Sequence, residues 1–243
     1  MSYDPTVRPP GHHARSTVQR LRMRTLITLG VLAVATTLLG RAFGLHDVRF
    51  LVSEIALLAT IFVVSRFVLP LVERHDRGAT GEEHVGALLD RLGHEGWRVI
   101  HDVSFGHGNV DHIVIGPGGV FTVETKSHPG PVRARRIHGA TIAQAHSQQR
   151  LIERITGEPV QSLLVFSRAW VDKPLARRRG VRVLPAGMLV GYLTRCEVKL
   201  DSERSEHCYR QVVQALEQQA LTVHRRRALG SVALRRIGRG PSN

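Results

Sequence analysis

Two long apolar stretches near the start of the chain constrain its fold more than any other feature. Residues 25–40, TLITLGVLAVATTLLG, carry no charged side chain, and with the residues that follow they approach the ~20 residues that cross a bilayer. Residues 50–72, FLVSEIALLATIFVVSRFVLPLV, are apolar apart from Glu54 and Arg66 near their two ends. Because hydrocarbon offers the backbone no hydrogen-bonding partner, each stretch must be helical. The sequence therefore predicts a two-helix transmembrane hairpin over residues 25–72.

The distribution of arginines predicts how this hairpin is oriented. Six arginines flank it on the outside, at Arg15, Arg20, Arg22, Arg24, Arg74 and Arg77. The connector between the two stretches carries only Arg41 and Arg49. The positive-inside rule then places both chain ends in the cytoplasm of a multi-pass protein of the cell (inner) membrane. A cleaved signal peptide is the alternative for the first stretch, but its basic region is long and no clear small-residue cleavage site precedes the second stretch.

The remaining sequence divides by composition. Residues 1–24 are polar and rich in Pro and Arg, which predicts disorder. Residues 75–195 have the mixed pattern of a soluble domain, residues 196–223 contain an amphipathic helix, and residues 224–243 form a basic tail. The tail is predicted to touch lipid headgroups or nucleic acid, or to be disordered.

The net charge indicates a polyanionic partner. The chain has 34 Lys and Arg residues against 20 Asp and Glu residues, a formal charge of +14. Only three of the basic residues are lysines. Arginine binds phosphate through a planar, bidentate fork, so the excess suits nucleic acid or anionic membrane lipid. The alternative is that many of these arginines only solvate the surface.

The soluble domain opens with a predicted helix and strand, RGATGEEHVGALLDRLGHEGWRVI. Thr80 is a good N-cap, and Glu83 three residues later completes a capping box. Glu82 lies three residues before Val85, an apolar-stripe residue, so it projects towards the core. We therefore predict a chemical role for Glu82. The alternative is that both glutamates only favour the positive end of a helix.

Residues 110–126, VDHIVIGPGGVFTVETK, predict a β-hairpin with two carboxylates and a lysine inside its strands. If Ile115 pairs with Val120 across the turn, the period of two places Asp111 opposite Glu124. Two opposed carboxylates repel unless a cation lies between them, so this register predicts a divalent metal beside Lys126. A one-residue shift, which Pro117 leaves open, would put the carboxylates on opposite faces.

Further elements follow the hairpin. The pattern predicts a helix over residues 139–155 with Gln144 facing inward near the hairpin, although a solvated glutamine fits the pattern equally well. Strands are predicted over residues 97–105, 160–170 and 181–187. His112 should point away from Asp111 and serve packing or the surface.

At this point the ordered motifs resemble a known family. Glu82 on a helix, Asp111 on a strand and Glu124-Thr125-Lys126 on the next strand resemble the PD-(D/E)XK nucleases. GATGEEHVGALLDRL, GNVDHIVIGPGGVFTVETK and AQA around Gln144 are more closely similar to the nuclease-related domain, NERD. The resemblance covers roughly residues 75–195. It implies an α/β fold with a restriction-endonuclease-like mixed sheet flanked by helices, here preceded by two transmembrane helices.

The resemblance also implies roles for individual residues. Asp111 and Glu124 would ligate Mg²⁺ or Mn²⁺, and Glu82 would complete or support the metal site. Lys126 would position or activate the attacking water, and Gln144 would match the helix glutamine of many family members. Three arginines of the next segment would contact a phosphate backbone: Arg133, Arg135 and Arg136.

The motifs thus favour a membrane-anchored, metal-dependent nuclease acting on DNA or RNA. The aromatic content of 5% predicts mainly backbone contacts and little base stacking. The alternative is a non-catalytic, membrane-tethered module that binds nucleic acid or acts as a scaffold while retaining the nuclease fold. A third hypothesis is that the arginines chiefly bind anionic lipid.

Overall fold

A computed structural model describes residues 9–43, 48–94, 96–105 and 108–237 of the chain, without the side chains of residues 13, 14, 43, 94 and 223–237. The described residues fall into two compact units. Residues 11–80 form the first unit, and residues 81–237 belong to the second, together with residues 9 and 10. Both apolar stretches lie in the first unit, and the predicted catalytic side chains lie in the second.

Helices make up the first unit. Helix α1 (His12–Phe43) and helix α2 (Val48–Val63) pack against each other. A five-residue π-helical segment, Val64–Val68, follows α2 and leads into α3 (Leu69–Asp90), whose first part belongs to this unit. The predicted helical character of both apolar stretches is confirmed.

The surface of these helices is strongly apolar. Among the described residues, most of the exposed large apolar side chains lie between Met23 and Leu71. Leu26 and Phe62, for example, are 65% and 63% exposed. Two helical segments, Arg15–Ala42 and the one beginning at Val48, are long and apolar enough to cross a membrane by length and composition. Since an apolar surface of this extent is unfavourable in water, they are candidate membrane spans.

The predicted disorder of residues 1–24 is wrong for residues 12–24, because α1 begins at His12. The prediction rested on Pro and Arg content. Beyond Gly11, however, the segment up to Arg24 contains neither proline nor glycine, and its Arg, Leu, Gln and Met residues all favour helix. Residues 1–8 lie outside the described residues.

The second unit is built on a mixed sheet. Its strands are β1 (Arg98–Ser104), β2 (Asn109–Gly116), β3 (Gly119–Lys126), β5 (Val160–Phe166), β7 (Arg177–Arg178) and β8 (Val181–Pro185). Their order across the sheet is β1-β2-β3-β5-β8-β7. Strands β1, β2 and β3 are antiparallel, β3, β5 and β8 are parallel, and β7 is antiparallel to β8. The predicted mixed sheet is confirmed.

A second, smaller ribbon lies outside this sheet. Strand β4 (Gly130–Val132) pairs in parallel with β6 (Ala169–Val171). The single strand predicted over residues 160–170 is therefore divided between two sheets, with a turn at Ser167 and Arg168. An apolar run does not reveal such a turn when no Pro or Gly marks it.

Helices cover both faces of the main sheet, as predicted. Helix α3 and the short α5 (Leu189–Thr194) share a core with one face, where Leu89 packs with Phe121. Helices α4 (Gly139–Thr156) and α6 (Ser202–Ile237) pack on the other face, where Ile113 meets Ile152. Burying each such side chain fully stabilises the fold by about 1.5–3 kcal/mol. Strands β2 and β3 are buried on both faces, so apolar residues occupy consecutive positions at Ile113, Val114 and Ile115 and at Val120 and Phe121. Short 3-10 segments occupy Arg91–His94, Ala134–Arg136 and Ala186–Met188.

The β2–β3 hairpin has the predicted register. Ile115 pairs with Val120 and Ile113 pairs with Thr122, across a two-residue Pro117-Gly118 turn. Farthest from the turn, His112 pairs with Val123. Continuing the ladder by one residue places Asp111 beside Glu124, and the one-residue shift that Pro117 left open does not occur.

The predicted capping box at Thr80 is wrong. Helix α3 runs from Leu69 to Asp90, so Thr80 lies in its interior. The Thr80 hydroxyl donates to the Asp76 carbonyl at 3.0 Å, a common use of threonine inside a helix. The preceding segment, LVERHDR, has good helix formers and no proline, so the helix has no reason to begin at Thr80. Glu83 therefore has no capping role.

The C-terminal helix also differs from its predicted bounds. Helix α6 begins at Ser202 and continues to Ile237, beyond the boundary predicted at residue 223. The first part of the predicted basic tail, residues 224–237, is thus helical. Residues 238–243 lie outside the described residues.

Gly116, at the end of β2, permits a close approach by Trp97. A Cβ built at position 116 would lie 2.4 Å from two ring atoms of Trp97, whose side chain belongs to the core. We expect Gly116→Ala to lower the free energy of unfolding by about 1–3 kcal/mol, because the core must shift to admit the methyl group. Thermal or urea unfolding of the detergent-solubilised chain measures this effect.

Gly191→Ala in α5 is the matched control, because a Cβ there meets nothing within 4 Å. It should leave stability unchanged or raise it by up to about 1 kcal/mol. Equal stabilities of the two variants would contradict the packing argument.

Candidate active site

The predicted acidic residues converge at one end of the β2–β3 hairpin. Asp111 lies near the start of β2, and Glu124 and Lys126 lie near the end of β3. Because the two strands are antiparallel, the start of β2 lies beside the end of β3, and these positions are neighbours. Within β3, Glu124 and Lys126 are two residues apart and share a face.

Glu124 is the most deeply buried member of the group, with a side chain 2% exposed. Its Oε1 accepts a hydrogen bond from Lys126 Nζ, and its Oε2 accepts one from Gln148 Nε2 at 2.6 Å. Gln148 Nε2 also donates to the Asn109 carbonyl at 2.8 Å. Burial of a carboxylate is tolerated only when it is paired and hydrogen-bonded, and here both oxygens have a donor.

Asp111 is held by the backbone of the neighbouring strand. Its Oδ2 accepts a hydrogen bond from the Thr125 amide at 2.7 Å. Burial raises the pKa of Asp111 well above its usual value, and the negative charges of Glu124 and Glu82 raise it further. The Thr125 hydrogen bond and Lys126 act in the opposite direction. The three carboxyl groups are therefore close enough to repel one another.

Glu82 reaches the group from α3. The preceding residue, Gly81, lets the helix backbone approach the strand ends, since a Cβ there would lie 2.6 Å from Ser167 Oγ and 2.8 Å from Ser127 Cβ. These serines directly follow β5 and β3. Burial raises the pKa of Glu82 to about 7, with added repulsion from Asp102 and Glu124. Glu82 thus lies in the same electrostatic environment as the hairpin carboxylates.

Lys126 supplies the positive charge of the site. Burial lowers the pKa of its ammonium group, but Glu124 outweighs this effect, and Asp111 and Glu82 add to it, so the net pKa is raised. Lys126 is therefore protonated at neutral pH. Lys126 faces three carboxyl groups, so the site is balanced only by protonation of a carboxyl group or by added positive charge.

A divalent cation at this site would need oxygen ligands gathered around one point. Among the described residues, no group of three or more His, Cys, Asp or Glu side chains is arranged to hold a metal ion. Glu82 is therefore not gathered with Asp111 and Glu124 into a three-residue ligand set. Mg²⁺ is commonly bound through one or two carboxylates with water completing the shell. The carboxyl oxygens of Asp111 and Glu124 are of the type that this simpler requirement needs.

The prediction that Gln144 faces inward is wrong, because its side chain is exposed. The buried stripe of α4 comprises Ile142, Ala145, Gln148, Ile152 and Thr156. Gln148, one turn after Gln144, is the glutamine that contacts Glu124. Ala145 lies three residues before Gln148 and Ile152 lies four residues after it, so all three side chains are on the same face of α4. The positions of the buried apolar residues therefore identify Gln148, and not Gln144, as the inward glutamine.

The three predicted phosphate-binding arginines are all exposed. Arg133 and Arg136 line a cleft of about 380 Å³ that also contains Lys126. Arg135 is not among the lining residues of that cleft. The structure therefore brings two of the three arginines to the same depression as the site lysine.

Two features of strand β1 are additions to the predicted site. Asp102 is 6% exposed, has a φ of 47°, and raises the pKa of Glu82. His101 hydrogen-bonds Asp90 through Nε2 at 2.9 Å and His112 through Nδ1 at 2.8 Å. His112 is fully buried, which confirms its predicted packing role, and burial holds its pKa well below the usual value.

A family comparison covers this same region. Residues 77–167 match the family described as NERD, the nuclease-related domain. The match begins in α3 and ends directly after β5, so it includes Glu82, Asp111, Glu124 and Lys126. The match confirms the resemblance that the motifs of this part of the chain carry.

A protein relative matches over a similar length. An uncharacterized protein of Bacillus anthracis is 34% identical to this chain over 85 residues. The alignment covers 33% of this chain and 40% of the relative. The chain thus spans less than half the length of the curated relative that it matches.

Two solved structures are similar over less than half of the chain. A repair endonuclease from Pyrococcus abyssi has 19% sequence identity and a TM-score of 0.25, covering 46% of this chain and 42% of that one. A complex of EndoMS with dsDNA has 16% identity and a TM-score of 0.24, covering 44% and 37%. The assignment of the domain therefore stands on the family match.

The raised pKa of Glu82 predicts a pH-dependent stability in metal-free protein. The folded chain binds this proton more tightly than the unfolded chain, so the stabilisation from neutral Glu82 is present below the ordinary value of 4.5 and is lost as pH rises to about 7. Glu82→Gln cannot ionise. It should be more stable than the parent chain at pH ~8 by about 1–3 kcal/mol, with the difference vanishing near pH ~4.5.

Chemical unfolding in EDTA across this pH range measures the difference. Glu217→Gln, which alters an exposed glutamate on α6, is the matched control and should behave as the parent at every pH. A stability difference that does not change with pH would show that Glu82 is not held in a repulsive environment.

Proposed function

We propose that the chain is a membrane-anchored, metal-dependent nuclease that hydrolyses phosphodiester bonds of DNA or RNA on the cytoplasmic side. The observation that carries this proposal is the grouping of Glu82, Asp111, Glu124 and Lys126 within a nuclease-related domain. Carboxylates crowded until their pKa values rise are unfavourable for folding alone, and such perturbed groups are typical of functional sites.

Asp111 and Glu124 would hold Mg²⁺ or Mn²⁺. When bound, the cation would supply an activated water and neutralise charge on the scissile phosphate. Glu82, which lies outside a three-residue ligand set, would support the site through its charge and through water. This arrangement uses the hard oxygen ligands that these ions prefer.

Lys126 would bind and orient the substrate phosphate. It is protonated at neutral pH, so it cannot remove a proton from water, but it can stabilise negative charge that develops on the phosphoryl oxygens. Glu82, with a pKa of about 7, is suited to take up a proton from the attacking water. Lys126 would thus stabilise the charge on the phosphoryl group, and Glu82 would accept the proton.

Gln148 would act as a positioning residue. Its amide group holds Glu124 Oε2 and the Asn109 carbonyl together, which joins α4 to the start of β2 and the end of β3. The role that the family resemblance suggested for Gln144 belongs in this proposal to Gln148.

Cleavage by the full chain in detergent tests the proposal. Single-stranded DNA, double-stranded DNA and RNA would be incubated with Mg²⁺ or Mn²⁺, and in parallel with EDTA. We expect cleavage that EDTA abolishes and that Asp111→Asn reduces by roughly 100-fold or more, because the variant loses a negative charge that would hold the cation. Asparagine retains the acceptor for Thr125, so unfolding measurements should show an intact fold.

A pair of glutamines on one helix provides an internal control for this assay. Gln148→Ala should lower cleavage about 10- to 100-fold, the usual effect of losing a residue that orients a ligand. Gln144→Ala should leave cleavage unchanged, because its side chain is exposed. Equal losses in both variants would contradict the assignment of Gln148.

A non-catalytic, membrane-tethered module that binds nucleic acid is the second candidate. It is favoured by the hydrogen bonds of Glu124, whose Oε1 accepts from Lys126 and whose Oε2 accepts from Gln148. It is also favoured by the lack of a three-residue metal-ligand group among the described residues. Salt-dependent nucleic-acid binding without cleavage, unchanged in Asp111→Asn, would favour this candidate.

The membrane anchor would be the pair α1 and α2. Their exposed apolar surface supports insertion, and the arginines on their outer flanks support cytoplasmic termini. Alkaline phosphatase, which is active only outside the cytoplasm, should be inactive when fused after residue 243 and active when fused within the connector at residue 46. The reverse pattern would overturn the proposed orientation.

A further inference from the structure

The ribbon of β4 and β6 presents an exposed tryptophan. Trp170 is 67% exposed, whereas its neighbours Ala169 and Val171 are 8% and 3% exposed. The two buried neighbours anchor β6 to the core, which fixes the backbone that carries the indole. An aromatic side chain held in water in this way is unfavourable unless a partner covers it.

The same ribbon borders the basic cleft. Trp170 pairs directly with Pro131 of β4, and Pro131 and Val132 line the cleft of about 380 Å³ that contains Lys126. Adjacent strands lie about 4.8 Å apart, so Trp170 is one strand away from the cleft wall. The wall contains the cations Lys126, Arg133 and Arg136 together with the imidazole rings of His128 and His138, and among the described residues no carboxylate lines it.

We propose that this cleft takes the backbone of a single nucleic-acid strand and that an unpaired base of that strand stacks on Trp170. The inference rests on the proposed function and names its substrate class: single-stranded nucleic acid, or an unpaired end of a duplex. Inside a duplex each base is already stacked and paired, so only an unpaired base is free to cover the indole.

Charge complementarity favours this occupant over a lipid surface. The cleft continues from the ribbon to Lys126, which belongs to the carboxylate site, so a bound polyanion would be led to the reacting groups. Exposed Arg168, two residues before Trp170, adds a further cation to the same segment. A base stacked on an aromatic platform with its phosphates on neighbouring cations is a common mode of single-strand binding.

Binding without cleavage provides the test. The full chain in nanodiscs of zwitterionic phosphatidylcholine would be titrated, in EDTA, with fluorescent single-stranded DNA and RNA oligonucleotides and a blunt DNA duplex. Trp170→Ala should weaken single-strand binding roughly 5- to 100-fold, the range for loss of one base-stacking contact, with little effect on the duplex. Trp170→Phe, which keeps an aromatic ring, should restore most of the affinity.

Val198→Ala is the matched control, because it truncates an apolar side chain that is 73% exposed and is not part of the cleft wall. Its single-strand affinity should equal that of the parent. Unfolding measurements on the Trp170 variants should show unchanged stability, since the indole is outside the core.

Each remaining result has a distinct meaning. Equal single-strand affinity for Trp170→Ala and the parent would overturn the inference, even if the chain cleaves nucleic acid. Loss of affinity in Trp170→Ala for a chain that cleaves nothing in Mg²⁺ would support the stacking site and refute the nuclease. A blue shift of Trp170 emission in anionic nanodiscs, without any effect of Trp170→Ala on oligonucleotides, would assign the indole to lipid and overturn the inference.

Discussion

The rest of the site depends on how the buried Glu124 carboxylate is paired and hydrogen-bonded. A negative charge that is 2% exposed is tolerated only with partners, and its two partners come from different elements, Lys126 on β3 and Gln148 on α4. Gln148 reaches the start of β2 through the Asn109 carbonyl. One carboxylate therefore fixes the distance between two strands and a helix at the edge of the sheet where Asp111 also lies.

Satisfying Glu124 leaves the neighbouring charges unbalanced. Lys126 is shared by Glu124, Asp111 and Glu82, and the pKa values of Asp111 and Glu82 are raised as a result of burial and mutual repulsion. The site is thus preorganised for added positive charge, or for protonation when none is present. Under the proposed function, this property would serve phosphodiester hydrolysis, in which a cation and a polyanionic substrate meet.

The structure relates this centre to a surface that composition did not reveal. With an aromatic content of 5%, the chain gave no sign of base stacking. Trp170 and the arginines of the cleft come from segments more than 30 residues apart, at residues 133–136 and 168–170. They become neighbours only through the parallel pairing of β4 with β6. Aromatic and basic residues that do not alternate in the sequence can therefore still form one binding surface.

The apolar stretches, the hairpin and its acidic pair were determined by the sequence alone. Length and the near-absence of charge dictate helices over residues 25–40 and 50–72. The period of two places Asp111 opposite Glu124 once Ile115 pairs with Val120. These are local rules that need no knowledge of distant residues.

Only the tertiary structure decided which glutamine enters the site and where α3 begins. Gln144 and Gln148 are one turn apart, and the packing of α4 on the sheet, with Ala145 and Ile152 inward, selects Gln148. Thr80 has the sequence of a cap, yet it lies inside a helix that starts at Leu69. In both cases local preference permits two arrangements of similar energy, and burial against non-local partners selects one of them.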